Sequence, residues 1–503
     1  MPVATELKLR IAPEQLAKLK RHPLLKAHQL TRSTTRRLYN IYFDTPKLEL
    51  NQSGMVLRLR RSGRQWLQTL KGGGSVLGGL RQCNVWEMPV SDPALDFTLP
   101  QEAGWNEVLP KHLHKKLKPV FVTDFSRNSR MLQWQEAQIE LRMDQGEVST
   151  ENTSAPICEL ALELVSGEPQ QLFGLAMAIL DCVPCALESC SKAEQGFRLM
   201  NGAAAQPLKA MPVKLDKHGE LGLAMQTLIC SVLQQVQGNV RGGMTSSDPE
   251  FVHQLRVALR RLRVLLRMAE SVCADEQLAV FRKNTAALSI TLGKIREWDV
   301  FIAGTVRPMC ASLPHVAGLQ ALLAACEQQR NACYSALSTD SQARELERLL
   351  LRLGMWLLGE YWQQHEWMGV KSRDFAAAYL TELAVQCAQA AEQLPTLDAA
   401  KLHALRIQAK KLRYGAEFFA PLYGKHKAEH YLAALSELQD VLGQINDNAV
   451  AQRLLDVLAT AQSMAGYQDV LVLGRGWLAR EVSQQQDVLL GMLGKFKKQE
   501  RFW

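Results

Sequence analysis

No apolar run in this chain of 503 residues reaches the ~18 residues that a membrane-spanning helix needs, so no span is expected. No leader is expected either: the chain opens into Thr5-Glu6-Leu7-Lys8-Leu9-Arg10, an alternating pattern unlike a signal peptide. The 11 cysteines lack a paired framework, which reads as a reduced, cytoplasmic protein without disulfides. Cys182-Val183-Pro184-Cys185 has no second pair to complete a zinc site and no βαβ pattern around it, so buried structural thiols are expected there. Acidic residues are in deficit, 50 against 59 Lys and Arg, and the net charge is +9 with a pI near 9.0. That balance favours an anionic partner, and nucleic acid, acidic lipid and polyphosphate all fit it. A hydrophobic content of 47% is ample for real cores, and the length suggests two to four domains.

The halves of the chain have different periods. Residues 1–200 alternate in short runs, at Val3 to Ile11, Leu38 to Thr45, Met55 to Arg61, Trp66 to Lys71, Val85 to Val90, Ile139 to Asp144 and Ile157 to Val165. Ser62-Gly63-Arg64 reads as a hairpin turn, and Pro13 to Lys20 and Pro169 to Leu180 as short helices. Many antiparallel strands with few helices predict a barrel or a strongly curved sheet. Residues 201–219, with Pro207 and Pro212, read as a linker. Residues 220–503 follow a 3.6 period, with Asp248-Pro249-Glu250 as a helix start, and predict an all-α domain. Trp356, Trp362 and Trp367 are expected in its core.

The second half repeats itself. Residues 252–263, Val-His-Gln-Leu-Arg-Val-Ala-Leu-Arg-Arg-Leu-Arg, recur 150 positions on as residues 402–413, Leu-His-Ala-Leu-Arg-Ile-Gln-Ala-Lys-Lys-Leu-Arg. The same offset places Leu292-Gly293-Lys294-Ile295-Arg296-Glu297 on Leu442-Gly443-Gln444-Ile445-Asn446-Asp447. Two segments sharing one offset predict two similar helical units related by pseudo-twofold symmetry. Arg296 answers to Asn446 and Asp299 to Ala449, so the second copy has lost charge near its Leu-Gly turn.

Several strands carry charge on one face and apolar residues on the other. Glu6, Lys8 and Arg10 share a face, as do Arg58 and Arg60, Thr69 and Lys71, and Glu159 and Glu163. Two arrangements satisfy this: a solvated outer sheet surface, or a closed barrel whose lumen is charged. In a lumen, carboxylates would hold a divalent cation while Arg and Lys neutralised phosphate oxygens. In the second half His253, Arg256, Arg260, Arg263 and Arg267 fall on one helix face, and His403, Arg406, Lys410 and Arg413 repeat most of it. No Glu is interleaved between Arg256 and Arg267, so the stripe favours a bridging anion over self-pairing. Gly72-Gly73-Gly74 and Gly78-Gly79 are followed by a strand, which suits a mobile hairpin and not a phosphate cradle.

Glu6-Leu7-Lys8, Arg58-Leu59-Arg60, Thr69-Leu70-Lys71, Arg81 with Glu87, Asp124 through Arg127, Asp144-Gln145-Gly146-Glu147, Glu159 to Glu163 and Ser191-Lys192 occur in the order seen in CYTH domains, the triphosphate tunnel metalloenzymes. Residues 1–200 resemble that family, and closest in kind are bacterial inorganic triphosphatases that carry a helical second domain. The resemblance implies an eight-stranded antiparallel β-tunnel and hydrolysis of tripolyphosphate with Mg²⁺ or Mn²⁺. It assigns catalysis to Glu6, Lys8, Arg58, Arg60 and Lys71, further phosphate contacts to Arg81, Arg127 and Lys192, and the metal to Glu6, Glu159 and Glu163 with Asp144 nearby. Two positions depart from the family pattern: Ala4 and Ala161 stand where it has Glu. Neither alanine can ligate a metal, so phosphate binding is better supported than turnover.

Residues 220–503 resemble the CHAD domain through the His-x-x-Arg-x-x-x-Arg/Lys repeats. That likeness implies binding of long polyphosphate, and association with polyphosphate granules, through His253, Arg256, Arg260, Arg263, Arg267, His403, Arg406, Lys410 and Arg413. The expected protein is thus α+β and multidomain: a β-tunnel followed by a duplicated helical bundle, an inorganic triphosphatase with a polyphosphate-binding half. The alternative is a catalytically weakened or inactive polyphosphate-binding protein. Nucleic acid is disfavoured because the basic face lacks interleaved aromatics. An adenylyl cyclase remains open on the CYTH resemblance alone.

Overall fold

In the computed structural model, residues 3–97, 109–202, 205–272, 275–337, 339–359, 362, 369–392 and 398–503 are described. The chain divides into two compact units, Met1–Gln206 with Ala343–Tyr361, and Pro207–Gln342 with Trp362–Trp503.

The first unit is built on β1 (Val3–Ile11), β2 (Thr34–Asp44), β3 (Val56–Ser62), β4 (Gln65–Leu77), β5 (Leu80–Val90), β6 (Lys118–Trp134), β7 (Ala137–Ser149) and β8 (Ser154–Ser166). Their antiparallel order is β5-β4-β3-β2-β6-β7-β8-β1, and β1 pairs back onto β5 to close an eight-stranded barrel. A short β9 (Cys185–Leu187) branches off β1. The alternating strands turn their apolar side outward. Leu7, Leu9, Ile139, Leu141, Leu160 and Leu162 lie under α1 (Pro13–Arg21), α2 (Pro23–His28) and α3 (Gln170–Cys182), which add Leu16, Leu19, Leu25, Leu172, Phe173 and Ile179. The main core therefore lies outside the barrel, and the charged positions of the same strands face its lumen. A fourth helix, α4 (Lys192–Met200), presses Ala193 and Phe197 against Tyr42, Phe121, Phe125, Val148 and Ile157.

The sequence reading missed β6, the longest strand. Five consecutive polar residues, Ser126-Arg127-Asn128-Ser129-Arg130, break its alternation, because both of its faces carry polar side chains there. The thiols of Cys182 and Cys185 are half-buried and free, with burial raising both and Cys185 to about 12, which suits structural cysteines.

The second unit is helical: α5 (Leu221–Thr245), α6 (Pro249–Val272), α7 (Glu276–Phe301) and α8 (Leu319–Leu337), then α10 (Ser372–Glu392), α11 (Ala399–Phe419), α12 (Lys425–Ala459) and α13 (Gln468–Lys497). The starts Leu221, Pro249, Glu276 and Leu319 recur at Ser372, Ala399, Lys425 and Gln468, so four helices are duplicated to within one residue of the offset seen in the sequence. Asp248 caps α6 by accepting the Glu250 N–H at 2.9 Å. The Leu-Gly pairs are not turns: Leu292-Gly293 lies inside α7 and Leu442-Gly443 inside α12. Gly293 instead makes room, since a Cβ there would sit 2.8 Å from Arg256 Nη1. Among the described residues, no helix is long and apolar enough to cross a membrane. Trp362 is buried; Trp356 is buried too, but in the segment that belongs to the barrel unit, and Trp367 lies outside the described residues.

Between the copies, α9 (Asp340–Leu358) belongs to neither, and from Ala343 onward it is part of the barrel unit. Leu351 joins the barrel's outer core, and Glu347 accepts the Leu187 N–H of β9 at 2.9 Å. Gly78, at the β4–β5 turn with φ +59°, packs on Gly354: a Cβ on Gly354 would meet Phe173 Cε1 at 2.2 Å and Gly78 O at 2.8 Å. Gly354→Ala therefore sets two effects against each other, a gain of about 1 kcal/mol in helix propensity and an overpacking cost of about 1–3 kcal/mol. Because backbone and ring both stand in the way, overpacking wins. The variant is expected to unfold at lower urea concentration than the natural protein.

Candidate active site

The lumen encloses a cavity of about 1040 Å³. Every residue expected at the site lines it except Asp144: Glu6, Lys8, Arg58, Arg60, Lys71, Arg81, Arg127, Glu159, Glu163 and Lys192. Asp144 is fully buried on the same face, covered by Arg127 and Lys192. Its carboxylate accepts two bonds from Arg127, 2.8 Å to Nε and 2.7 Å to Nη2, and one from Lys192 Nζ at 2.6 Å.

The cavity has two unlike walls. On β1, β7 and β8 each carboxylate has a cation partner. Lys192 Nζ also contacts Glu159 Oε1; Lys8 Nζ lies 3.3 Å from Glu6 Oε1 and 3.9 Å from Glu159 Oε1; Arg142 holds Glu163 and Glu140. Burial would raise the Glu6 carboxyl, but Lys8, Lys71 and Lys192 outweigh it and bring it down to about 2. Burial would lower Lys8, and Glu6 and Glu159 reverse this, holding it above the ordinary lysine value. Asp144 is likewise held well below its usual range, chiefly by Lys192 and Arg127.

The facing wall, β3 and β4, is different. Arg58, Arg60 and Lys71 have no carboxylate within ion-pair distance among the described ion pairs. Arg60 Nε donates to Asn40 Oδ1 at 2.9 Å, and Arg58 Nε is buried with no hydrogen-bond partner. Burial, then Arg58, pushes the Lys71 ammonium down to about 8, and burial with Arg58 and Arg127 pushes Arg60 well below its usual value. These strands place three positive charges where water is scarce; Glu6 acts on Lys71 and Glu87 on Arg60 through space, but burial and the neighbouring cations outweigh them. Such an arrangement is stabilised by an anion.

Lys192 opens α4, where a cation opposes the helix dipole; Asp144 and Glu159 offset that cost. The helix is fixed by a capping box, with Ser191 Oγ accepting the Glu194 N–H and Glu194 accepting the Ser191 N–H. Glu194 also holds Arg81 at 3.2 Å. Tyr42, Glu87, Arg142 and Glu194 line the cavity as well and were not expected. Thr69 Oγ1 donates to Glu87 at 2.9 Å. The Ser-x-x-Glu spacing at Ser191 was a readable signal for α4, whereas nothing local marked Tyr42 or Arg142.

A divalent cation is implied by the CYTH resemblance. Among the described residues no three His, Cys, Asp or Glu side chains gather as a preformed cage. Glu159 Oε2 is nevertheless buried with no hydrogen-bond partner, and Lys8 Nζ lies between Glu159 and Glu6, 3.9 Å from one and 3.3 Å from the other. That suits a hard cation held by one or two carboxylates and completed by phosphate oxygens and water.

In the helical unit, α6, α7 and α11 bring Arg256, Arg260, Arg296, Arg406 and Lys410 within mutual electrostatic reach, with His253 at the edge. Arg256 and Arg406 are equivalent in the repeat and lie within electrostatic range of each other. Burial first, then Arg406, Arg260 and Arg256, pushes Lys410 down to about 6; burial and Arg260 bring Arg256 to about 10; burial and Arg296 bring His253 to about 4. Arg256 Nη1 donates to Ser289 O at 3.1 Å, and Arg260 Nε to Tyr414 Oη at 3.1 Å. Arg256 Nε and Arg406 Nε are buried without hydrogen-bond partners. The remaining stripe residues lie elsewhere. Arg263 faces Arg267 and Arg282, Arg413 is paired with Glu417 at 2.7 Å, and His403 is exposed. Arg296 and Tyr414 were not expected at this cluster.

Residues 4–188 match the CYTH domain and residues 227–456 the CHAD domain. The chain joins a CYTH domain to a CHAD domain. It is 30% identical over 196 residues to the inorganic triphosphatase of Haemophilus influenzae, a match covering 39% of this chain and about half, 54%, of that protein. Among solved structures it resembles the CHAD domain from the plant Ricinus communis, with 30% identity, a TM-score of 0.50 and coverage of 58% of this chain and 97% of that one.

The CYTH lumen carries a pH signature. An anion bound at Lys71 raises its pKa from about 8 back toward the ordinary value of 10.5, so binding takes up a proton between those two values. Titration of tripolyphosphate at pH 9 in two buffers of different ionisation enthalpy is expected to show this uptake, and Lys71→Gln to abolish it.

Proposed function

We propose that the CYTH domain binds a triphosphate group and cleaves its terminal phosphoanhydride, with inorganic tripolyphosphate as the substrate and Mg²⁺ or Mn²⁺ as the cation. The observation that carries this is the wall of Arg58, Arg60 and Lys71, three cations with no carboxylate in ion-pair contact among the described residues, in an enclosed lumen facing a wall of carboxylates. A chain of phosphates supplies the missing negative charge along that wall. Arg58 and Arg60, two residues apart on β3, reach successive phosphoryl oxygens. Lys71 on the neighbouring strand neutralises charge that develops on the leaving group. Glu6 and Glu159 would hold the cation, which neutralises phosphate oxygens and polarises the attacking water. Glu159 Oε2 is the free acceptor on that wall, and Asp144 keeps Arg127 and Lys192 in place from behind.

Removing Arg58 or Arg60 deletes charge-assisted hydrogen bonds of about 1.5–3 kcal/mol each. Arg58→Ala and Arg60→Ala are thus expected to weaken tripolyphosphate binding by about 10- to 100-fold at constant fold. Phosphate release from tripolyphosphate with Mg²⁺, Mn²⁺ or EDTA tests turnover. Binding without phosphate release under any of these conditions would favour the second reading, a polyphosphate-binding protein without activity. That reading is motivated by Ala4 and Ala161, which both line the lumen.

The CHAD domain, in the same reading, binds longer inorganic polyphosphate at the cluster of Arg256, Arg260, Arg406 and Lys410. A bound polyanion lifts Lys410 from about 6, so binding at pH 7.5 takes up a proton. Calorimetry with long-chain polyphosphate is expected to detect that proton, and Lys410→Met to remove it while weakening binding. Preference for RNA over polyphosphate in filter-binding competition would overturn this assignment.

A further inference from the structure

Three carboxylates run straight across the lumen wall. Glu140 on β7 lies opposite Glu163 on β8, and Glu163 lies opposite Glu6 on β1. Like charges directly opposite in an antiparallel pair repel each other. With Glu159 they are four carboxylates on three neighbouring strands, more negative charge than one divalent cation offsets.

The next row along the same face reads Arg142, Ala161, Lys8, again with direct register pairing. Arg142 leans back onto the acidic row. Its Nε and Nη2 lie 2.9 and 2.5 Å from Glu140 Oε2, and its Nη1 contacts Glu163 Oε2. The Ala161 methyl separates Arg142 from Lys8; a carboxylate at that position would stand between the two cations. Arg142 lines the cavity, and its side chain keeps 23% exposure. A guanidinium has five N–H donors, and these contacts use three. The other two remain for an oxygen in the lumen.

We infer that Arg142 stands in for a second divalent cation: it neutralises Glu163 and Glu140 and presents its remaining N–H groups to the triphosphate, so the loaded lumen holds one metal ion, on Glu6 and Glu159. This rests on the triphosphate reading above. It follows from charge that does not titrate, because a guanidinium stays protonated at any working pH. Glu163 is thereby withdrawn from the metal, and part of the affinity for triphosphate becomes independent of metal. The same substitution accounts for a lumen that tolerates Ala161: the positive charge that an acid there would help to bind is already covalently present on the neighbouring strand.

The full-length protein and an imido-bridged triphosphate analogue provide the test. The natural chain is expected to bind the analogue in EDTA, and to hold one Mn²⁺ per chain when Mn²⁺ is added, counted by electron paramagnetic resonance. Arg142→Ala is expected to lose at least 10-fold in affinity in EDTA. The pair Arg142→Ala with Ala161→Glu is expected to hold two Mn²⁺. Arg142→Lys keeps the charge and is expected to retain one Mn²⁺, which separates lost charge from lost fold. Two Mn²⁺ on the natural chain, or EDTA affinity unchanged in Arg142→Ala, overturns the inference. No binding of the analogue by the natural chain, with or without Mn²⁺, instead overturns the triphosphate reading on which it rests.

Discussion

The Asp144 carboxylate is the constraint from which the lumen is built. It is fully buried, on β7, and it is grasped by Arg127 from β6 and Lys192 from α4, while Lys192 also reaches Glu159 on β8. Three strands and the helix packed against them are thus tied by one charge network. An isolated buried charge costs several kcal/mol, whereas a network in which every member is paired offsets that cost and fixes geometry. The direction of the barrel follows from the same requirement. Its apolar face turns outward because α1, α2, α3 and part of α9 cover it, and only then can the strands spend their inward positions on charge.

Compensation is uneven across the lumen, and the unevenness is what makes it a site. The β1–β7–β8 wall is internally paired: its carboxylates are held by Lys8, Arg127, Arg142 and Lys192. The β3–β4 wall is not. Arg58, Arg60 and Lys71 are desolvated beside one another, and the downward shifts of Lys71 and Arg60 register how unfavourable that is without a counter-ion. A purely structural network would not leave three cations in this state, because exchanging one for an apolar residue would be stabilising. Retaining them makes sense where an anion completes the set.

Much of this was legible in the sequence, for a definable reason. Period-2 alternation exposed seven of the eight barrel strands, and paired positions such as Arg58 and Arg60 announced a charged face without telling which way it pointed. Direction depends on what covers the other face, which is a tertiary fact. β6 was hidden because Ser126 to Arg130 are polar on both sides. Asp144 was readable as an acid near the site, but its burial behind Arg127 and Lys192 was not, since that depends on register between strands distant in sequence. Arg142 was hidden for the same cause: its meaning comes from facing Ala161 and leaning on Glu163. In the helical unit the single offset gave the duplication correctly, yet a stripe of basic residues overstated the cluster. A helix rises about 1.5 Å per residue, so Arg256 and Arg267 lie roughly 16 Å apart along α6 and meet different neighbours.

The duplication also explains why the CHAD cluster is lopsided. The two related helices α6 and α11 pack together, which is how the equivalent residues Arg256 and Arg406 come within electrostatic range of each other. Symmetry alone would then supply matching charge from α7 and α12. It does not, because α7 gives Arg296 and the seat at Gly293 across which Arg256 lies, whereas α12 gives Asn446 at the equivalent position and Gly443 with no neighbour within 4 Å of a Cβ. The first copy therefore carries both the extra cation and the only one of these two glycine seats in use. The acids are matched, Glu297 acting on Arg256 in the first copy and Asp447 on Arg406 and Lys410 in the second, so the difference lies in Arg296. A twofold scaffold has thus been given a polarity. A polyanion lying across the two helices would meet denser positive charge on the α7 side, and its binding would be directional even though the helices that frame it are copies of one another.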